Sequence, residues 1–238
     1  MRTIASQIKA EPTTNQAANS TNRETADWGR TMMAKERINP IASQSVNMFG
    51  NRFIIERDSR IENGVYIGGA SREAIVVDWK KPKLNELYDN IFKALGSDKR
   101  YHKTLLLASV FETVKKAFPN LSVSETDQLL QRYEVKPNRK VYIDVFIANG
   151  TGVCGHVALC CAALIERLTD EGHLSGKVSV DRNSISSKGA HAWCRYTNGA
   201  GEVIILDVMQ NYLGKLSSSA AKASWDYFRP EDRATTNS

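Results

Sequence analysis

A cysteine, a histidine and an aspartate stand in that order in the second half of the chain, at Cys154, His191 and Asp207, 37 and then 16 residues apart. A thiol is a strong nucleophile only as the thiolate, and a neighbouring imidazole can hold it in that state. A carboxylate on the far side of the ring sets the imidazole's tautomer and orientation. The three residues therefore carry the groups that cysteine-dependent acyl transfer needs. They lie in Gly152-Val153-Cys154-Gly155-His156-Val157-Ala158, His191-Ala192-Trp193 and Leu206-Asp207.

Each needs an element to position it. Residues 157–168 are apolar almost all round, the pattern of a buried central helix. A glycine-rich loop opening into that helix places Cys154 in or near its first turn. There the partial positive charge lowers a thiol's pKa, and free N–H groups can donate to an oxyanion. Gly152 and Gly155 leave room for a substrate backbone. An isolated cysteine is more often a small core residue, and Cys160, Cys161 and Cys194, inside regular elements, are read that way.

Three strands are expected downstream, at 176–180, 190–196 and 202–208, with Asn198-Gly199-Ala200-Gly201 as a hairpin connector. The hairpin returns the end bearing Asp207 to the end bearing His191. Asp207 closes the apolar run Val203 to Leu206, where a carboxylate is costly to bury without a partner. Trp193, two residues beyond His191, shares its face and is expected to shield the Cys–His pair and line the cleft. An oxyanion hole needs a donor besides the Cys154 amide. Asn149 is the first candidate, with a turn-forming role before Gly150 as the alternative. Gln210 and Asn211 are weaker ones, and Gly155 belongs to the same cleft. Cys154, His156 and Cys160 are a poor metal set. Paired ligand spacing is missing, and a helix points Cys154 and His156 about 200° apart. No metal or cofactor is expected.

Together the three motifs resemble those of the transglutaminase-like superfamily, within the wider papain-like cysteine enzymes. The resemblance spans about residues 140 to 214. It implies Cys154 as nucleophile, His191 as general base and acid, and Asp207 as the orienting carboxylate. It also implies an α+β papain-like core, with the central helix packed on an antiparallel sheet. Members include protein cross-linkers, deamidases, peptidases and peptide N-glycanases, so it is less specific for the reaction. Two departures stand out: Gly155 where a larger basic or polar residue is common, and Val208-Met209-Gln210 where proline or threonine often follows the aspartate.

The rest of the chain supplies the frame. Residues 1–48 are polar and read as a flexible arm, with Trp28, Met32 and Met33 able to anchor a short helix. Residues 49–230 read as one two-lobed catalytic domain. Its first lobe, 49–139, holds a β-meander (52–57, 64–69, 74–79) and helices. Leu84, Leu87, Tyr88, Ile91, Phe92 and Leu95 mark a helix stopped at Gly96. Leu105, Leu106, Val110, Val114 and Phe118 mark a second, ending at Pro119. Ser122-Val123-Ser124-Glu125 offers a capping box for a third. The Cys-His-Asp core occupies 140–216. Lys140 to Ile147 alternates briefly and runs into Asn149-Gly150-Thr151-Gly152, the loop delivering the chain to Cys154. Trp225, Tyr227 and Phe228 are expected to dock on the body, and 231–238 to fray.

A net charge of +6 with scattered basic residues argues against a nucleic-acid partner. No apolar run reaches the roughly 20 residues of a membrane helix. With no secretory signal pattern at the N-terminus and with clustered thiols, a cytoplasmic setting is expected, although export without a cleaved signal would look the same. The expected activity is acyl transfer on a protein carboxamide or peptide bond through a thioester, giving cross-linking, deamidation or proteolysis. The substrate would be a protein or peptide with a Gln or Asn side chain or an amide bond, with an amine as a co-substrate in cross-linking. The alternatives are a non-catalytic protein-binding module of the same fold and a thioester-dependent acyltransferase.

Overall fold

The computed structural model describes residues 48–68, 73–95, 103–135 and 139–234. The readings of the arm over 1–47, of strand end Gly69, of the stop at Gly96 and of the tail over 235–238 fall outside these residues. The described chain is a mixed α+β fold.

The first half is a small sheet and a helical layer. Strands β1 (Met48–Phe49) and β2 (Arg52–Phe53) pair antiparallel. Strands β3 (Val65–Ile67) and β4 (Ala74–Val76) form a second antiparallel pair. The expected meander is thus two short pairs. The third strand of the β3–β4 sheet is β6 (Lys140–Tyr142), which joins β4 in parallel from beyond the helices. A parallel partner needs a long crossover, and the intervening helices supply it.

Helices α1 (Pro82–Leu95) and α2 (Lys103–Ala117) bury most of the residues their spacing marked, among them Leu84, Leu87, Ile91, Leu106, Val110 and Val114, with Phe92, Leu95 and Leu105 half-buried. In α3 (Val123–Arg132), the Ser122 hydroxyl caps the first turn by accepting the Glu125 N–H. Only the first three residues of the alternating 140–147 stretch are strand. From Ile143 the chain turns into helix α4 (Ile143–Asn149), because Ile143, Phe146 and Ile147 can all be buried on one helical face. Gly150 closes it in the left-handed conformation, φ 62°.

Strand β7 (Thr151–Gly152) then pairs in parallel with β5 (Asn120–Leu121), and helix α5 (Cys154–Asp170) follows. From Gly155 through Ile165 every α5 residue is buried. The helix packs on α2 at one side and on a four-stranded antiparallel sheet at the other. That sheet, in the order β11-β10-β9-β8, comprises β8 (Gly176–Ile185), β9 (Gly189–Asn198), β10 (Val203–Asp207) and β11 (Tyr212–Lys215). Strand β8 runs five residues further than the sequence indicated.

Helix α6 (Ser219–Ser224) leads into an extended segment and helix α7 (Pro230–Ala234). Residues 231–234, expected to fray, are held. Asp232 accepts both arms of the Arg195 guanidinium at 2.7 and 2.8 Å. Arg229 grips Asp181 at 2.6 and 2.7 Å and also reaches Ser179 and Asp58.

The four-stranded sheet separates two apolar clusters. The larger joins α1, α2, α4 and α5 to Val180, Ala192, Cys194, Tyr196 and Leu206. The smaller gathers Trp193, Ile205 and Tyr212 under Trp225 and Tyr227.

Candidate active site

Cys154 is the first residue of α5, and the chain reaches it by a stapled path. The Asn120 N–H donates to Gly150 O, and the Thr151 hydroxyl donates to Asn120 O. A Cβ at Gly152 would stand 3.0 Å from His156 Cβ and 3.2 Å from Phe118, so only glycine fits there without displacement. Val153 is extended and has no side-chain oxygen with which to cap α5. His156, three residues on, turns back instead, and its Nδ1 accepts the Val153 N–H at 3.1 Å. Nδ1 is therefore unprotonated, and the ring's Nε2 faces the buried Glu73 carboxylate at 2.7 Å. This buried ring, packed on Phe146, locks the helix start and does not approach the role of a ligand shared with Cys154. Among the described residues, no three His, Cys, Asp or Glu side chains come together as a metal site.

The hairpin of β9 and β10 pairs Leu206 with Cys194. That register leaves Asp207 on the face of His191 and diagonal to it, within reach of a ring. His191 Nε2 meets Asp207 Oδ2 at 2.5 Å, with both side chains buried. The imidazole also hydrogen-bonds Cys154. The fold thus brings Cys154, His191 and Asp207 into one chain of contacts, with the cysteine as its partly exposed end.

The charges in this chain are tuned together. Burial alone would raise the Cys154 thiol. The His191 hydrogen bond and charge, with the N–H groups of Ala192 and Gly155, outweigh it and bring the thiol below its ordinary value. Burial alone would lower His191, but Asp207 and Cys154 raise it to about 9. The arrangement favours thiolate beside imidazolium. Cys160, Cys161 and Cys194 show the contrast, since burial pushes all three thiols upward.

Asp207 has a fuller set of partners than the sequence indicated. Oδ1 accepts the Gln210 N–H at 3.0 Å, and Oδ2 accepts the Tyr227 hydroxyl at 2.8 Å in addition to facing His191. After Asp207, Val208 to Asn211 form the turn that returns an amide to the carboxylate and leads into β11. Gln210 contributes its backbone N–H here. Asn211 takes a left-handed φ of 52° and accepts Lys115 at 2.7 Å.

Asn149 occupies the turn role. Its amide donates to Val145 O at 2.8 Å within α4, directly before the left-handed Gly150. Trp193 shares the face of His191, with ring centroids 6.2 Å apart, but it is fully enclosed and packs edge-on against Tyr227. A wholly enclosed indole cannot line a cleft. The ring nearer His191 is Trp225, tilted against it with centroids 4.9 Å apart and oriented by donation from its indole N–H to Asn183 Oδ1 at 2.7 Å. Shielding of the imidazole falls to this tail residue.

Sequence reasoning missed two tyrosines. Tyr227 was noted only as an apolar anchor, and nothing local signals its bond to a carboxylate 20 residues away. Tyr66, on β3, is buried beside Gly155. A Cβ at position 155 would lie 3.2 Å from Tyr66 Cε1 and 3.9 Å from its hydroxyl oxygen. The departure at Gly155 thus has a steric cause in a residue nearly ninety positions earlier.

Compared with protein-family models, with curated proteins and with solved structures, the chain matches none. Among the described residues no helix is long and apolar enough to cross a membrane.

Proposed function

We propose that this protein is a cysteine-dependent acyl-transfer enzyme of the transglutaminase-like kind, built on a papain-like core and acting on a protein carboxamide or peptide bond. The observation that carries the reading is the continuous contact chain Cys154–His191–Asp207, with its thiol held low and its imidazole held high. Structural thiols have no need of such a pair, and activated nucleophiles do.

The Cys154 thiolate attacks the substrate carbonyl, forming a C–S bond as the carbonyl electrons move to oxygen. Collapse breaks the C–N bond, and His191 protonates the departing ammonia or amine. The product is a thioester on Cys154. Water or a second amine then attacks it while His191 takes the incoming proton, and the C–S bond breaks. Asp207 keeps Nε2 engaged throughout, so the opposite nitrogen serves both proton transfers.

The test is mass spectrometry of candidate proteins incubated with wild type and with Cys154→Ala. A gain of about 1 Da marks deamidation, loss of about 17 Da with conjugation marks cross-linking, and new termini mark proteolysis, as the entering and leaving groups require. Each should vanish in the variant. Failure of a haloacetamide to label Cys154 at neutral pH in the folded protein would overturn the reading.

A further inference from the structure

We infer that Tyr66 is a catalytic residue, its phenolic hydroxyl donating the second hydrogen bond to the oxyanion that forms at Cys154. This rests on the acyl-transfer reading and adds the donor that it lacks. A tetrahedral intermediate needs two donors placed where its charge develops. The amide of Cys154, first in α5, is one, because first-turn N–H groups have no partner within the helix.

Three placements assign the other to Tyr66. The ring lies against Gly155, the residue after the nucleophile, so closely that a methyl there would meet it at 3.2 Å. The hydroxyl oxygen would be 3.9 Å from the same methyl, and the Cys154 charge acts on the phenol. Arg182 also lies over the Tyr66 ring, 5.7 Å from its centroid, and hydrogen-bonds its hydroxyl. A guanidinium only donates, so the phenol oxygen accepts from Arg182 and keeps its own hydrogen to give.

Arg182 is itself held in place. It donates to Ile67 O at 2.8 Å, and its strand register sets it opposite Ala192, whose N–H reaches the Cys154 sulfur. Tyr66 therefore approaches the thiol from β3 and His191 from β9. His191 then handles the proton transfers and Tyr66 the developing charge. Arg182 acts through Tyr66 as a positioning residue, and its positive charge favours an anion beside the hydroxyl.

The experiment uses Tyr66→Phe, which keeps the ring and removes only the hydroxyl, and two reagents. Iodoacetamide alkylates the thiolate by displacement at carbon and passes through no oxyanion. With p-nitrophenyl acetate, the C–S bond forms through a tetrahedral oxyanion. The C–O bond then breaks, releasing p-nitrophenolate as an anion that needs no proton from His191. Tyr66→Phe should be alkylated at Cys154 within about threefold of the wild-type rate, because thiolate content sets that rate. Its acylation should be slower by about 10²-fold, the loss typical of removing one oxyanion donor. Arg182→Gln should lose acylation in the same direction by a smaller factor and keep its alkylation.

Equal rates with both reagents would remove Tyr66 from the mechanism. Equal slowing with both would make it a support of the thiolate or of the fold, and would also overturn the inference. If wild type itself is not alkylated selectively at Cys154 near neutral pH, the acyl-transfer reading fails, a result distinct from either of these.

Discussion

On one face of the four-stranded sheet, Val180, Ala192, Cys194, Tyr196 and Leu206 press into α5 and its helical neighbours. On the other, Asp181, Asn183, His191, Arg195 and Asp207 carry polar groups that the segment from Trp225 to α7 covers. The same strands build both faces, because successive side chains alternate. The apolar face needs only shape and area. The polar face buries ionisable groups, which is costly unless each finds a partner, and its partners are specific: Asp207 for His191, Asp232 for Arg195, Arg229 for Asp181. One face therefore holds the fold, and the other holds the geometry and protonation of the site. Cys154 stands at the boundary, at the start of α5 and in contact with His191.

Substitutions can separate these roles. The largest effect is expected from Asp207→Asn, which should slow acyl transfer by about 10⁴-fold while leaving the sheet intact, by analogy with a triad aspartate replaced by its amide. The pH profile should change with it. In wild type, His191 stays protonated up to about 9, so steps that need its proton should fall above that pH while alkylation of Cys154 does not. Without the carboxylate, the raising influence is lost and burial dominates, so that limb should move to lower pH. An unchanged limb would show that Asp207 does not govern His191.

Leu206→Ala is the matched change on the apolar face. It should cost about 3 kcal/mol of stability in chemical denaturation, the usual cost of truncating a buried leucine, and leave the pH profile where it was. A shifted profile would mean the faces are coupled. Asp232→Asn comes next, weakening the bidentate grip of Arg195. About 2 kcal/mol should be lost, with quenching of Trp225 fluorescence by acrylamide rising as the tail loosens. The smallest effect should be that of Tyr227→Phe. It removes one of the hydrogen bonds to Asp207 and should cost about 1 kcal/mol, or roughly fivefold in rate. The carboxylate then bears more on His191, so the alkaline limb should move upward. A change of opposite sign would deny that Tyr227 acts through Asp207.

Much of this contrast was legible in the chain before folding. The spacing of Leu84 to Leu95 and of Leu105 to Phe118 marked α1 and α2, since burial on a helix recurs every three to four residues. The continuous apolar run of 157–168 marked α5 as enclosed. The Asn198–Gly201 turn predicted the hairpin, and its return predicted that Asp207 would meet His191. The parallel pairing of β4 with β6 was not legible, because no local pattern records a partner more than sixty residues away. Asn149 illustrates a different limit: its type suits an oxyanion donor and a helix-end turn equally well, and only the backbone decides between them.

The order and chemistry of Cys154, His191 and Asp207 are properties of the sequence, as is the tendency of the flanking segments to form a helix and a hairpin. Both arise from residue type and local periodicity. Tertiary structure decided what surrounds them. Tyr66 comes from a strand almost ninety residues before the cysteine, and Trp225 and Tyr227 from a tail held by Arg195 and Arg229. It also decided that Trp193 is enclosed. The physical reason is that burial, partner choice and pKa depend on groups brought together only when distant segments pack, and those segments share no local signal.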